Sequence, residues 1–421
     1  MIDFEAYKMI IMNNALLVIL PLIPLLLGLV WKYSNCQSMA VKSFGLGAIG
    51  VIAAGLFYMR FAFEVESSIL FLASAIVLAG LCAILSQENS QQSSDICISN
   101  LIILGLSLGI ILNQAMIKSM FLCGLLGFIA ISINSKHQNT FRTKLIFLHI
   151  LLAIILSLSS VLMGETLQVF ANLFIAVTFL PLVPFHLPFL RIIKDSKGSV
   201  SSFWIVSWLT IGLEKLNIIY ASLTSEMFFS LTLLAVVSAV FASLASLGQK
   251  CNSLFIASAT VAHVALVWGL LEVFPHFKSW GIPFGITLAF VMGGISLTFS
   301  FVQQRYGWKT LGILPGLASP MPRFGVALVL LVTFALFLPL FQTFSGLMVM
   351  PTIVTQDVEI LMISILFLVV WLGGSWYFIQ MLHQTAFGEA RSDVPYSDLR
   401  LTEFIAIWAL LLGASYSGVI Y

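Results

Sequence analysis

Residues 167–190, LQVFANLFIAVTFLPLVPFHLPFL, decide how this chain is to be read. The stretch carries no Asp, Glu, Lys or Arg and is long enough to cross about 30 Å of hydrocarbon as a helix. It also sets Pro181, Pro184 and Pro188 around His186. Proline removes a backbone donor and clashes with the carbonyl one turn back, so three prolines this close predict a broken helix rather than a bent one.

Working outward, thirteen more apolar stretches of spanning length follow the same logic. The fourteen start near Ile10, Ser43, Ser68, Ser99, Met116, Lys144, Leu167, Ser202, Met227, Ser253, Ser279, Phe324, Val358 and Leu401. Of 421 residues, 60% are hydrophobic and 9% charged, against about 25% charged in an ordinary soluble domain. Too few charges exist to coat a water-soluble surface, which predicts an all-α polytopic membrane protein with lipid as its main solvent. The first span is too long for a secretory signal peptide and lacks a small-residue cleavage site, so it is expected to remain. The polar connectors, such as 87–96, 135–143, 191–199 and 302–323, are too short for a soluble catalytic module.

Basic residues test the topology separately from hydropathy. Loops after odd-numbered spans hold fourteen Lys and Arg, the other face holds four (Lys8, Arg60, Lys118 and Lys278), and Lys215 falls inside a span. The positive-inside rule then puts the odd loops in the cytoplasm and both termini on the outer face of a cytoplasmic (inner) cell membrane. No Lys/Arg-rich run tracks a phosphate backbone, so no nucleic-acid partner is expected. Cys36, Cys82, Cys97, Cys123 and Cys251 are scattered, with no metal, cluster or disulfide spacing, and read as small apolar fillers. There is no phosphate loop and no nucleophile elbow; no cofactor, metal site or catalytic centre is expected.

Span twelve carries a second interruption, Pro339 followed by Gly346. Taking spans four to eight (about 99–222) and nine to thirteen (about 227–385) as five-helix units puts each break in the fourth helix of its unit. An odd number of helices per unit makes such repeats inverted, and paired breaks in inverted halves point to a transport site near the bilayer midplane. The simpler account is that prolines are commoner in membrane helices. One transmembrane domain over 1–421 is expected, with helices one to four at 10–112 and a closing helix at 401–421.

Ionisable groups inside spans each need a reason. Glu214 and Lys215 are adjacent on span eight, about 100° apart, so each seeks a partner elsewhere. Two roles are open to Lys215: a proton relay whose affinity burial tunes, or a structural contact. His263, about ten residues into span ten, is either a relay between the halves or a ring tied to a helix carbonyl. His186 either bonds a carbonyl that the prolines free or faces a cavity. His149 reads as interfacial.

Four places in the chain resemble the antiporter-like membrane subunits of respiratory complex I, a family shared with multisubunit sodium/proton antiporters and membrane-bound hydrogenases. LVPFHLPF (182–189) resembles that family's broken seventh helix, and IASATVAH (256–263) resembles a segment of its tenth. LPLFQTFSGLMVM (338–350) is similar to its broken twelfth helix. YFIQMLHQTAFGE (377–389) with DLRLTEF (398–404) resembles the end of the thirteenth and the entry to the fourteenth. The resemblance implies a subunit of a proton-translocating NADH:quinone oxidoreductase or a relative, with other membrane subunits as partners and protons or sodium as the ion. Two alternatives stand beside it: the membrane partner of an inorganic-carbon uptake complex or cation/proton antiporter, and a non-conducting scaffold.

The chain departs from the family along its charged axis. The fifth-helix glutamate falls at Leu122 or Cys123, the seventh-helix lysine at Phe179 and the twelfth-helix charge at Leu347. The eighth-helix lysine falls at Trp208 or Leu209, with Lys215 two turns further along nearly the same face. Proton-path candidates are therefore Lys215, Glu214, His263 and His186.

Overall fold

The computed structural model describes residues 4–34, 38–62, 65–88, 91–134, 140–160, 164–271, 274, 276–338 and 357–420. Among them the regular structure is helical, with fifteen α-helices and one isolated bridge between Cys251 and Thr310. Every expected span coincides with a helix, and the fifteenth arises because the seventh span is two pieces. Pro339 and Leu347 lie outside the described residues. Among the described residues, eleven helices are long and apolar enough to cross a membrane. The chain divides into two compact units, 1–171 and 172–421.

The first unit contains α1 (Phe4–Lys32), α2 (Ser38–Ala62), α3 (Ser67–Leu85), α4 (Gln91–Leu112), α5 (Ala115–Asn134) and α6 (Phe141–Ser159). Lipid tails are as apolar as leucine, so helices associate here through close packing and interhelical hydrogen bonds rather than by escape from water. α4 is the core of the unit, packed by α1, α2, α3 and α5. Pro21 stands inside α1 and cannot supply the N–H that the Leu17 carbonyl would otherwise accept. Asn113, just past the end of α4, donates to that carbonyl at 3.0 Å.

α7 (Glu165–Phe179) crosses the boundary between the units. The second unit continues with α8 (Leu187–Asp195), α9 (Val200–Ile219), α10 (Ser225–Gly248), α11 (Asn252–Gly269), α12 (Phe277–Tyr306), α13 (Pro322–Phe337), α14 (Asp357–Thr385) and α15 (Leu401–Ser415). α12 is the mast, about 45 Å long at 1.5 Å per residue, with its spanning residues packed by α9, α11, α13 and α15. α7 and α13 are shorter apolar helices. α9 has twenty residues but carries Glu214, Lys215 and four hydroxyl side chains.

One end of the second unit is closed by a polar clasp. Arg305, at the foot of α12, pairs with the buried carboxylate of Glu403 and donates to the Ser397 and Asp398 carbonyls, both at 3.0 Å. The Asp398 carboxylate accepts from the backbone N–H groups of Arg323 and Phe324 at 3.0 and 3.2 Å. It thereby caps the first turn of α13, where unpaired donors favour an anion. Residues 316–318 run beside 385–387, with Leu317 N–H donating to the Thr385 carbonyl at 2.9 Å. Gly316 makes this possible: its φ is +70°, and a Cβ would lie 2.5 Å from the Ala390 nitrogen. Two of the segments that carry the family resemblance thus help build this clasp.

Candidate functional site

The break after α7 is the first half of the site. α7 stops at Phe179, α8 starts at Leu187, and Pro181 and Pro184 stand between them, with Pro188 in the first turn of α8. In an unbroken helix the Leu180 carbonyl would accept from residue 184, but proline has no N–H to give. The indole of Trp268, on α11, donates to that carbonyl at 3.0 Å. The indole of Trp208, on α9, donates to the Thr178 carbonyl at 2.9 Å. The freed N–H of Val183 donates to the Ser238 hydroxyl on α10 at 2.9 Å.

Aromatic rings fill the space behind these bonds. Phe179 packs on Trp208 with ring centres 4.9 Å apart, and Phe189 and Trp204 flank Trp208 at 5.7 and 6.0 Å. Phe179, Phe189, Trp204, Trp208 and Trp268 are each 1% exposed or less. α9 reaches the break because Gly212 has no side chain: a Cβ there would lie 2.7 Å from the Phe179 carbonyl carbon and 2.8 Å from the Leu180 nitrogen.

His263 and its neighbours form the second half. His263 Nδ1 lies 2.9 Å from the Ala259 carbonyl on its own helix and 3.2 Å from the Tyr377 hydroxyl of α14. A carbonyl oxygen only accepts, so the proton sits on Nδ1, and in the neutral ring the lone pair is left on Nε2. Both hydrogen bonds use Nδ1, and Nε2 has no partner among the described residues. Nε2 lies toward Gly374, where a Cβ would stand 3.7 Å from it. Next door, a Cβ on Gly373 would lie 3.1 Å from the Ser243 hydroxyl of α10, a buried oxygen without a partner among the described residues.

Among the described residues, the other expected residues share no hydrogen bond with His263. Glu214 and Lys215 are each 5% exposed and engaged in polar or electrostatic interactions, within the last six residues of α9. His263 hydrogen-bonds to neither. His186, at the start of α8, packs edge-on against Phe241 at 5.6 Å and interacts with the Pro184 carbonyl. Its Nδ1 is buried without a hydrogen-bond partner among the described residues. Among the described residues, no group of three or more His, Cys, Asp or Glu is placed to hold a metal.

Sequence reasoning did not anticipate the indole donors, Ser238, Gly212, Tyr377 or the Gly373–Gly374 pair as parts of these sites. One signal was available: a buried tryptophan needs a partner for its N–H, and a proline-broken helix supplies free carbonyls.

By sequence, no family model matches and no curated protein matches. By structure, the chain is similar to a chain of respiratory complex I from Thermus thermophilus with bound NADH. That match has a TM-score of 0.78 at 16% identity and covers 96% of this chain and 95% of the other. A chain of the Mrp complex from Dietzia sp. gives 0.76 at 12% identity, covering 96% and 94%. A chain of the membrane-bound sulfane sulfur reductase, an archaeal respiratory membrane complex, gives 0.71 at 14% identity, covering 95% and 75%. The chain therefore has a polytopic membrane fold in common with chains of these respiratory and Mrp complexes.

Proposed function

We propose that this chain is an antiporter-like integral membrane subunit of a multisubunit, energy-coupled complex, of the NADH:quinone oxidoreductase type or a relative. The observation that carries the reading is the match to a respiratory complex I chain over nearly the full length of both chains. Within it, spans four to eight and nine to thirteen act as inverted repeats, and Lys215, Glu214, His263 and His186 are the groups that handle protons or sodium. The membrane is the cytoplasmic one, with both termini outside and the basic odd-numbered loops inside.

A cysteine label on the 191–199 loop is expected to react only from the cytoplasmic side, and reaction from outside overturns the orientation. Purification of the tagged chain under mild detergent is expected to bring down further membrane subunits; recovery of the chain alone counts against the assignment. In the reconstituted complex, Lys215→Met and His263→Ala are expected to reduce ion coupling while leaving assembly intact. Unchanged pumping by both variants favours a second reading, a non-conducting scaffold. Its support is that Phe179, where the family resemblance puts one lysine, packs ring against ring on Trp208, which with Leu209 marks where it puts another.

A further inference from the structure

Carbonyls of an unwound membrane helix are the usual ligands for a permeating cation or a water chain. At the α7 break two such carbonyls already hold a donor from the chain's own side chains. We propose that the break is a sealed joint, in which the Trp208 and Trp268 indoles occupy the Thr178 and Leu180 carbonyls and close this point to water and ions.

Three independent features carry the assignment. The donors come from two different helices, α9 and α11, at 2.9 and 3.0 Å, so the joint is gripped from two directions. An indole N–H only donates, and it is fixed to a rigid bicycle. It can neither pass a proton along nor turn away as a hydroxyl does. The rings that bring the donors in also take the volume a water would need, since Phe179, Leu180, Leu182, Trp208 and Trp268 are all 1% exposed or less. The same device appears in the first unit, where Asn113 occupies the carbonyl that Pro21 frees. An ion path through the second unit would then have to run past the break rather than through it.

The test needs no assumption about which complex the chain belongs to, so its failure is separable from failure of the functional reading. In the full-length chain with its native cysteines replaced, Thr178→Cys, a change of little volume at a residue 1% exposed, is expected to stay unreactive toward a small charged methanethiosulfonate applied from either side of a vesicle. Adding Trp208→Phe and Trp268→Phe keeps an aromatic ring at each position but removes both donors and part of the bulk, and the carbonyls then recruit water. Modification is expected to speed up at least about tenfold, the factor matching loss of a buried hydrogen bond. Rapid labelling of Thr178→Cys alone overturns the seal, and no acceleration in the triple variant overturns the role of the indoles. A second measurement uses the unmutated chain with 15N-labelled tryptophan. The indole protons of Trp208 and Trp268 are expected to exchange with deuterium far more slowly than that of Trp308, which lies half-buried in the polar loop after α12. Equal rates overturn the proposal even where the variants fail to fold.

Discussion

The α7 break and the His263 cluster meet the same problem, polar groups within a lipid-embedded fold, with opposite solutions. At the break, two freed carbonyls are matched by indoles, which only donate, and the Val183 N–H by the Ser238 hydroxyl. Around His263, one ring nitrogen is matched twice while the other has no partner among the described residues, and the Ser243 hydroxyl is likewise unmatched. Aromatic rings pack in both places, but beside His263 it is Gly374, with no side chain, that lies against Nε2. A broken helix is therefore no proof of a conducting point, because the chemistry of what fills the break decides. Proton handling belongs where a titratable atom is left available, and His263 meets that condition better than any group at the break except His186.

The largest effect that separates the two regions is expected from Phe179→Lys. The family resemblance puts a lysine here, but in this chain the site is a packed ring with no exposure, 4.9 Å from Trp208. An ammonium placed there carries an insertion penalty of about 3 kcal/mol near a helix centre and gives up the aromatic packing as well. Thermal unfolding in detergent should show a severely destabilised protein or none. A variant as stable as the parent would mean that the joint is wet and that the two regions do not differ.

Gly212→Ala comes next. The added methyl would meet backbone at 2.7–2.8 Å, and backbone cannot swing aside as a side-chain tip can. Overpacking of this kind costs about 1–3 kcal/mol. A lowered unfolding temperature, together with loosened exchange protection of the Trp208 indole, is the expected outcome. An unchanged temperature would show that α9 and the break can part without loss.

Much of the fold was legible because a spanning helix announces itself by length and apolarity, and the break after Phe179 because three prolines permit little else. Lys215 and His263 were visible as ionisable residues inside spans. The matching of Trp268 to Leu180 was not, since the two lie 88 positions apart and only the folded chain shows which indole meets which carbonyl. Tyr377 was hidden for the same reason: its segment resembled a family motif, but nothing in the sequence joins it to a histidine 114 residues earlier. The role of Gly374 was invisible because a glycine gives no sign of what lies against it.

Tyr377→Phe tests how firmly the His263 ring is held, with a smaller expected effect. The ring loses its 3.2 Å partner but keeps the Ala259 carbonyl at 2.9 Å, so the Nδ1 proton should remain where it is. The loss is about 1 kcal/mol, the net worth of one neutral hydrogen bond. Nitrogen-15 NMR of the labelled histidine in bilayers should still report Nδ1 protonated and Nε2 bare. A switch to the opposite tautomer would mean that the hydroxyl, not the helix carbonyl, sets the chemistry of the ring.

Gly374→Ala should cost the least stability and so tests function most cleanly. Its Cβ would stand 3.6 Å from His263 Cε1 and from the Tyr377 oxygen, and 3.7 Å from Nε2, all ordinary contact distances. Without a clash, and with alanine favoured over glycine in a helix interior by about 1 kcal/mol, the protein should be at least as stable as the parent. The methyl nonetheless comes to rest against the one ring atom able to accept a proton, where a water must approach if His263 exchanges protons at all. Ion coupling of the reconstituted complex is expected to fall several-fold in a protein at least as stable as the parent, a combination that Gly212→Ala cannot produce. Normal coupling together with normal stability would make His263 a structural group like the indoles, and the contrast between the two regions would then be one of packing alone.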